Sequence, residues 1–181
     1  LTVKSSILDR DRKLNFNEEY IEFEDKDLIG ALPTRLDKSE LSEFRYGINW
    51  ISGIHLTIGR IYSVDIRDIH GNEINIRLKS LYGIRKKVLT EKYIKIVSHI
   101  YDKYFNDISR DYLSKFSAGE EFSISGVVFT SGGLILDNKI GLVKWDDLDT
   151  RAYRSYYTLA SKIDSTKYKV FVYLEDWNTG V

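Results

Sequence analysis

Phe44-Arg45-Tyr46-Gly47-Ile48-Asn49-Trp50 carries a large apolar side chain at every second position. An extended chain sends successive side chains to opposite faces, so Phe44, Tyr46, Ile48 and Trp50 share one face of a strand. Beyond the turn pair Ser52-Gly53, Ile54, Leu56 and Ile58 keep the two-residue beat, and Tyr62, Val64 and Ile66 continue it. Arg60 beside Gly59 interrupts that beat and predicts a bend or bulge. Asp68-Ile69-His70-Gly71-Asn72 is a turn cluster, after which Ile74, Ile76 and Leu78 alternate again. Two period-two runs joined by a short glycine-containing loop read as an antiparallel hairpin.

Past Thr90 the beat lengthens. Tyr93, Ile94, Ile96, Val97, Ile100, Tyr101, Tyr104, Phe105 and Ile108 recur at spacings of three and four, which predicts one long amphipathic helix over 90–108. Thr90 is its expected N-cap, with Glu91 suited to the helix dipole and Leu89/Ile94 at hydrophobic-staple spacing. The helix is expected to end before Ser117-Ala118-Gly119. Strands then resume: Phe122 with Ile124, Val127 with Phe129, Leu134–Leu136, Ile140–Trp145, and a strand on which Tyr153, Ser155, Tyr157 and Leu159 share a face. Tyr168, Val170, Val172 and Leu174 make the last one. Asp176-Trp177-Asn178-Thr179 reads as the entry to another helix. At the other end, residues 1–18 read as a polar tail, 20–24 as a short strand, and 25–40, with Pro33, as a loop. The fold class is therefore α+β and β-rich, with antiparallel meanders around a helix. Two modules are expected, over 14–115 and 120–181.

Composition narrows function. The chain has 181 residues, 43% apolar and 30% charged, with 27 basic and 27 acidic side chains. A net charge of zero argues against a nucleic-acid partner. The middle stretch, 44–115, holds 13 basic and 7 acidic residues and is the candidate for an anion-facing surface. With no cysteine, disulfides, thiol nucleophiles and thiolate metal sites are excluded, and an unstapled chain fits the reducing cytoplasm. No apolar run approaches the length of a transmembrane helix. The chain reads as a fragment, so any membrane-associating segment is expected outside it.

Antiparallel strands closed by one amphipathic C-terminal helix, together with Leu142-Val143-Lys144-Trp145-Asp146-Asp147-Leu148, where an apolar strand ends in Trp and an acidic residue, resemble bacterial pleckstrin-homology-like domains, here in tandem. The resemblance implies barrel or sandwich modules that bind or scaffold rather than catalyse, with the second lacking its terminal helix. Some members bind phosphoinositides through basic residues joining the first two strands. Here that region carries Glu18, Glu19, Glu22, Glu24, Asp25 and Asp27, a departure that argues against phosphoinositide binding.

Two sets of residues are candidate sites. Arg85, Lys86 and Lys87 precede the helix, where three cations beside helix N–H groups suit a phosphate or an anionic lipid surface; Lys79 and Lys92 would add to them. The competing reading is a solvated loop. Tyr153, Tyr156, Tyr157, Tyr168, Phe171, Tyr173 and Trp177 form a dense aromatic group. It serves either packing between modules or a protein partner, since Tyr and Trp favour interface centres. Asp146, Asp147 and Asp149 lack calcium-loop spacing. His55, His70 and His99 do not cluster, and neither a nucleophile elbow nor a phosphate-cradling loop is present. The expected function is thus a non-catalytic, cofactor-free binding or scaffolding protein that engages a protein partner or an anionic membrane. The alternatives are a small-ligand-binding β-barrel and a hydrolase or nuclease whose acids converge only in the fold.

Overall fold

The computed structural model describes residues 1–6, 9–27, 30–54, 56–137 and 139–180. It divides into two compact units, Leu1–Phe105 and Asn106–Val181. The division falls within the helical run rather than at Gly119.

The first unit opens with a four-stranded antiparallel meander, β1 (Thr2–Val3), β2 (Arg12–Phe16), β3 (Tyr20–Phe23) and β4 (Thr34–Asp37). A 3-10 turn at Lys38–Glu40 leads to a second meander, β5 (Leu41–Ser52), β6 (Thr57–Asp68) and β7 (Glu73–Leu81). Alternation makes these strands: in β7 the positions of Ile74, Ile76, Leu78 and Ser80 are buried and those between them are not. The irregularity expected near Gly59 is present, for the β5–β6 register slips between Ile51 and Ser52 and leaves Ile58 unmatched.

The N-terminus departs from a polar tail, and 25–40 departs from a plain loop. Val3, Leu14 and Leu36 are core residues. The inward position two before Leu14 is Arg12, which hides the strand pattern from a hydropathy reading. Its guanidinium is buried because it donates to the Asp9 and Asp27 carboxylates and to the carbonyls of Glu24 and Asp25. A buried cation is tolerable when its donors are so matched.

The helix starts earlier than expected. α1 spans Lys86–Ile100, followed by a π-helical turn, Tyr101–Phe105, and by α2, Asn106–Ala118, which begins the second unit. Its cap residue is Arg85, in the left-handed region at φ 57° and with no side-chain cap bond. Thr90 does not cap. Its hydroxyl donates one turn back to the Lys86 carbonyl (2.8 Å) and meets the Tyr62 hydroxyl at 2.5 Å. Ile94 is exposed, so no staple forms with Leu89. The wider π turn lets the adjacent Tyr104 and Phe105 both turn inward. Phe105 stacks on Phe44 at 5.1 Å, and the Tyr104 hydroxyl, 2.8 Å from each, serves the carbonyls of Asn17 and Tyr20.

The second unit repeats the plan. β8 (Phe122–Ile124), β9 (Val127–Thr130), β10 (Gly133–Ile135) and β11 (Leu142–Lys144) form a four-stranded antiparallel meander. A 3-10 turn at Trp145–Asp147 leads to β12 (Leu148–Ala152), β13 (Tyr156–Ser161) and β14 (Tyr168–Val172). Residues 153–159 are not one strand: the chain turns after Ala152, with the Tyr153 N–H donating to the Tyr156 carbonyl at 2.8 Å. Nor do residues 176–179 open a helix. The Asp176 carboxylate accepts the Val172 N–H at 2.7 Å and its own N–H returns to the Val172 carbonyl, folding the segment into turns.

By register, the pairs Phe16–Ile21 and Ile21–Leu36 correspond to Phe129–Leu134 and Leu134–Val143. In both 3-10 turns a leucine closes the turn, Leu41 on the Lys38 carbonyl and Leu148 on the Trp145 carbonyl. The β9–β10 turn is finished differently. Thr130, the counterpart of Asn17, gives its carbonyl to Trp145 Nε1 at 3.2 Å rather than to a helical tyrosine.

Candidate functional site

One end of the first unit joins apolar and cationic side chains. At the β5–β6 tip the Gly53 N–H bonds to the Leu56 carbonyl at 2.8 Å, which turns Ile54 and Leu56 out to 94% and 66% exposure. The loop between β7 and α1 lies against this hairpin, since the Tyr82 N–H donates to the Ile58 carbonyl at 2.7 Å. Tyr82, Gly83 and Arg85 all adopt positive φ, at 50°, 76° and 57°. For the two non-glycine residues that costs roughly 1–2 kcal/mol each. The loop is held by the Ile84 and Lys86 N–H groups on the Leu81 and Gly83 carbonyls and by the Ser80 hydroxyl on the Ile84 carbonyl. The result exposes Tyr82 (76%), Ile84 and Val88 together with Arg85, Lys86 and Lys87. A cavity of about 250 Å³ between tip and loop is lined by Leu56, Gly59, Arg60, Ser80, Tyr82 and Lys86. Gly59 is required there, because a Cβ would stand 2.7 Å from the Ser80 carbonyl oxygen. The Arg60 guanidinium lies 4.2 Å from the Trp50 ring centroid, holding the cation at this end by cation–π attraction.

The triplet Arg85-Lys86-Lys87 was legible in the sequence, but its apolar neighbours were not. Ile54 and Leu56 continue the strand beat and read as core; their place past Ser52-Gly53 is the signal that they leave the sheet. Of the supporting cations, Lys92 is committed to the Thr2 carbonyl at 2.7 Å. Lys79 points to the strand face away from buried Leu78 and Ser80.

Four of the acidic side chains of the first meander pair with groups of the same unit. Glu18 pairs with Lys103, Glu24 with Arg10, Asp27 with Arg12, and Asp25 accepts the Thr34 hydroxyl. The Lys103 bond holds the Glu18 carboxyl below the usual range, and the Lys13 backbone N–H does the same for Glu24. On the outer face of the second meander, Asp65 lies buried between Arg45 (3.0 Å) and Arg77 (2.5 Å), and Arg67 joins Glu43 to Glu73. These ladders knit three strands by cross-strand pairing.

The aromatic group of the second unit separates into roles. Phe171 is core. Tyr157 stacks on it at 4.8 Å and lies 6.1 Å from Tyr173; burial pushes the Tyr157 hydroxyl up to about 12. Tyr153 and Tyr156 stack at 4.5 Å, with Tyr153 exposed. Tyr168 is exposed on β14, and the Trp177 carbonyl accepts the Ser125 hydroxyl.

Among the described residues no group of three or more His, Asp or Glu side chains is placed to hold a metal ion. Asp149 pairs with Arg151, while the backbone carbonyls of Asp146 and Asp147 receive Lys162. His70 lies 3.4 Å from Glu40 in its turn, His99 packs edge-on to Phe16, and His55 lies outside the described residues. No described helix is long and apolar enough to cross a membrane. No protein-family model, curated protein or solved structure matches the chain.

Proposed function

We propose that the Leu1–Phe105 unit is a non-catalytic binding module of pleckstrin-homology-like type that seats on an anionic membrane surface. Its contact face is the β5–β6 tip and the loop before α1. The observation that carries this reading is the joint exposure of Ile54, Leu56, Tyr82, Ile84 and Val88 with Arg85, Lys86 and Lys87 at one end of the unit, beside the half-buried Arg60. Exposed apolar residues grouped with cations suit a headgroup layer, where apolar tips enter the acyl boundary and each cation gains about 1 kcal/mol from anionic lipid. Two left-handed non-glycine residues support the reading as well, because strained backbone of this kind collects at functional loops. The pleckstrin-homology-like assignment draws on the order of the elements: antiparallel strands in two meanders, then a C-terminal helix.

The test is co-sedimentation of the full chain with phosphatidylcholine vesicles, with and without phosphatidylserine, at low and physiological salt. Binding is expected on the anionic vesicles, weakening as salt rises, and abolished by combined R85E, K86E and K87E. Equal binding by the charge-reversed variant would remove the proposal.

A further inference from the structure

The second unit holds an aromatic cavity that its sister plan closes. In the first unit α1 and the π turn bury Leu89, Ile96, Ile100, Tyr104 and Phe105 against the sheets. In the second unit the flanking helix is α2, and its buried residue is Ser109. Leu113 remains 63% exposed and Phe116 45% exposed. A helix that hides a serine while leaving its apolar residues half out does not fill the face it approaches. The space left is a cavity of about 320 Å³, within the roughly 300–1,000 Å³ range of small-molecule sites.

Its wall is made of rings: Tyr112 and Phe116 from α2, Phe122 and Phe129 from the meander, Trp145 from the 3-10 turn and Tyr157 from β13. The rings are ordered by one another. Phe122 and Phe129 lie nearly parallel at 4.8 Å, Tyr112 is 5.3 Å from Phe122, and Phe116 meets Trp145 edge-on at 5.3 Å. The Trp145 indole is fixed by donating Nε1–H to the Thr130 and Ser131 carbonyls, each at 3.2 Å. Ser109, Asn178 and Thr179 complete the lining, and Thr179 brings a hydroxyl-bearing residue to it. Rings whose planes are set in advance favour a guest that offers another face or edge at the same spacing. A hydroxyl residue, Thr179, at the margin of the rings favours a guest with one hydrogen-bonding substituent.

We infer that this cavity is a binding site for a small planar aromatic molecule carrying a polar substituent. The site is built wholly within the second unit and is independent of the membrane face of the first.

The test uses the full chain labelled with nitrogen-15 and indole as the probe, followed through the tryptophan Nε1–H resonances. A saturable shift of the Trp145 resonance is expected, with Trp50 unmoved. Phe116→Ala, which trims a half-exposed ring, is expected to weaken indole roughly tenfold without altering the thermal melt. Ser109→Leu, which fills the cavity, is expected to abolish binding. Absence of a saturable Trp145 shift up to the solubility of indole overturns the inference, as does unchanged affinity in Phe116→Ala. Cyclohexanol binding as tightly as indole would reduce the site to an apolar void and overturn its aromatic class. A tryptophan-bearing peptide binding more tightly than indole would overturn the small-molecule form.

Discussion

Replacing Ile54 and Leu56 together by serine separates the apolar part of the proposed membrane contact from its charge. Fully burying an Ile or Leu side chain is worth about 1.5–3 kcal/mol. Ile54 is 94% and Leu56 66% exposed, so nearly all of the first and about two-thirds of the second are still available for transfer. Complete burial of both would yield about 2.4–4.8 kcal/mol. A tip halfway into the headgroup and acyl boundary realises about half of that, roughly 1–2.5 kcal/mol, or about 5- to 70-fold in partitioning. The assay is vesicle partitioning of I54S/L56S against wild type at two salt concentrations, beside a thermal melt. Affinity should fall by that factor at both salts, because serine leaves every cation in place, and the melt should stay where it was. Identical partitioning would mean that the tip never enters the lipid, whereas a lowered melting temperature would make the two residues structural.

Tyr104→Phe removes the hydroxyl shared by the Asn17 and Tyr20 carbonyls. It should cost about 1–3 kcal/mol, read as a loss of midpoint in the unfolding transition reported by Trp50. Arg12→Met strands the Asp9 carboxylate and the Glu24 and Asp25 carbonyls; about 3–5 kcal/mol should go, with the denaturant midpoint falling and the slope unchanged. The Arg67 bond holds the folded Glu73 carboxyl below its ordinary value of 4.5. The unfolded chain therefore takes up that proton first, and the contribution to stability is present above pH 4.5 and lost as pH falls through the folded value. Glu73→Gln should accordingly flatten the acid limb of a stability–pH curve. Gly133→Ala would set a Cβ 2.1 Å from the Val143 carbonyl oxygen, so the β9–β10–β11 ladder should open and the Trp145 Nε1–H resonance should lose its dispersion.

The sheets were readable where one face is apolar and the other polar. Phe44 to Leu78 alternates because β5, β6 and β7 gather their apolar side chains on one face, most cleanly in β7, and the turns at Ser52-Gly53 and His70-Gly71 are local chemistry. Reading failed where a charged group occupies an inward position. Arg12 in β2 is buried on the strength of Asp9 and of Glu24, Asp25 and Asp27, the last three 12 to 15 residues away, and no short window of sequence displays those three. The start of α1 was missed because its cap is a strained Arg85 rather than an oxygen-bearing side chain. Past residue 108 the apolar spacing fades, because the π turn shifts the stripe and α2 leaves Leu113 and Phe116 half out, although the end near Ser117-Ala118-Gly119 was legible. In the candidate site the cations stand together in sequence, while the exposed apolar side chains come from two segments that only the fold joins. The aromatic cavity likewise gathers rings from α2, β8, β9, the 3-10 turn and β13, which no spacing rule links.

Two meanders that share one register within a single polypeptide have a consequence for how the chain reaches its native state. The Ile21–Leu36 pair of β3 and β4 and the Leu134–Val143 pair of β10 and β11 are close in size, so β3 meets in β11 a ladder it could join. Dilution from denaturant presents right and wrong neighbours at once, a known hazard of repeated architectures. Synthesis from the N-terminus completes one set before the other has left the ribosome. Vectorial emergence should therefore give a cleaner product than refolding, and mispaired dimers should accumulate in the refolded material as chain concentration rises.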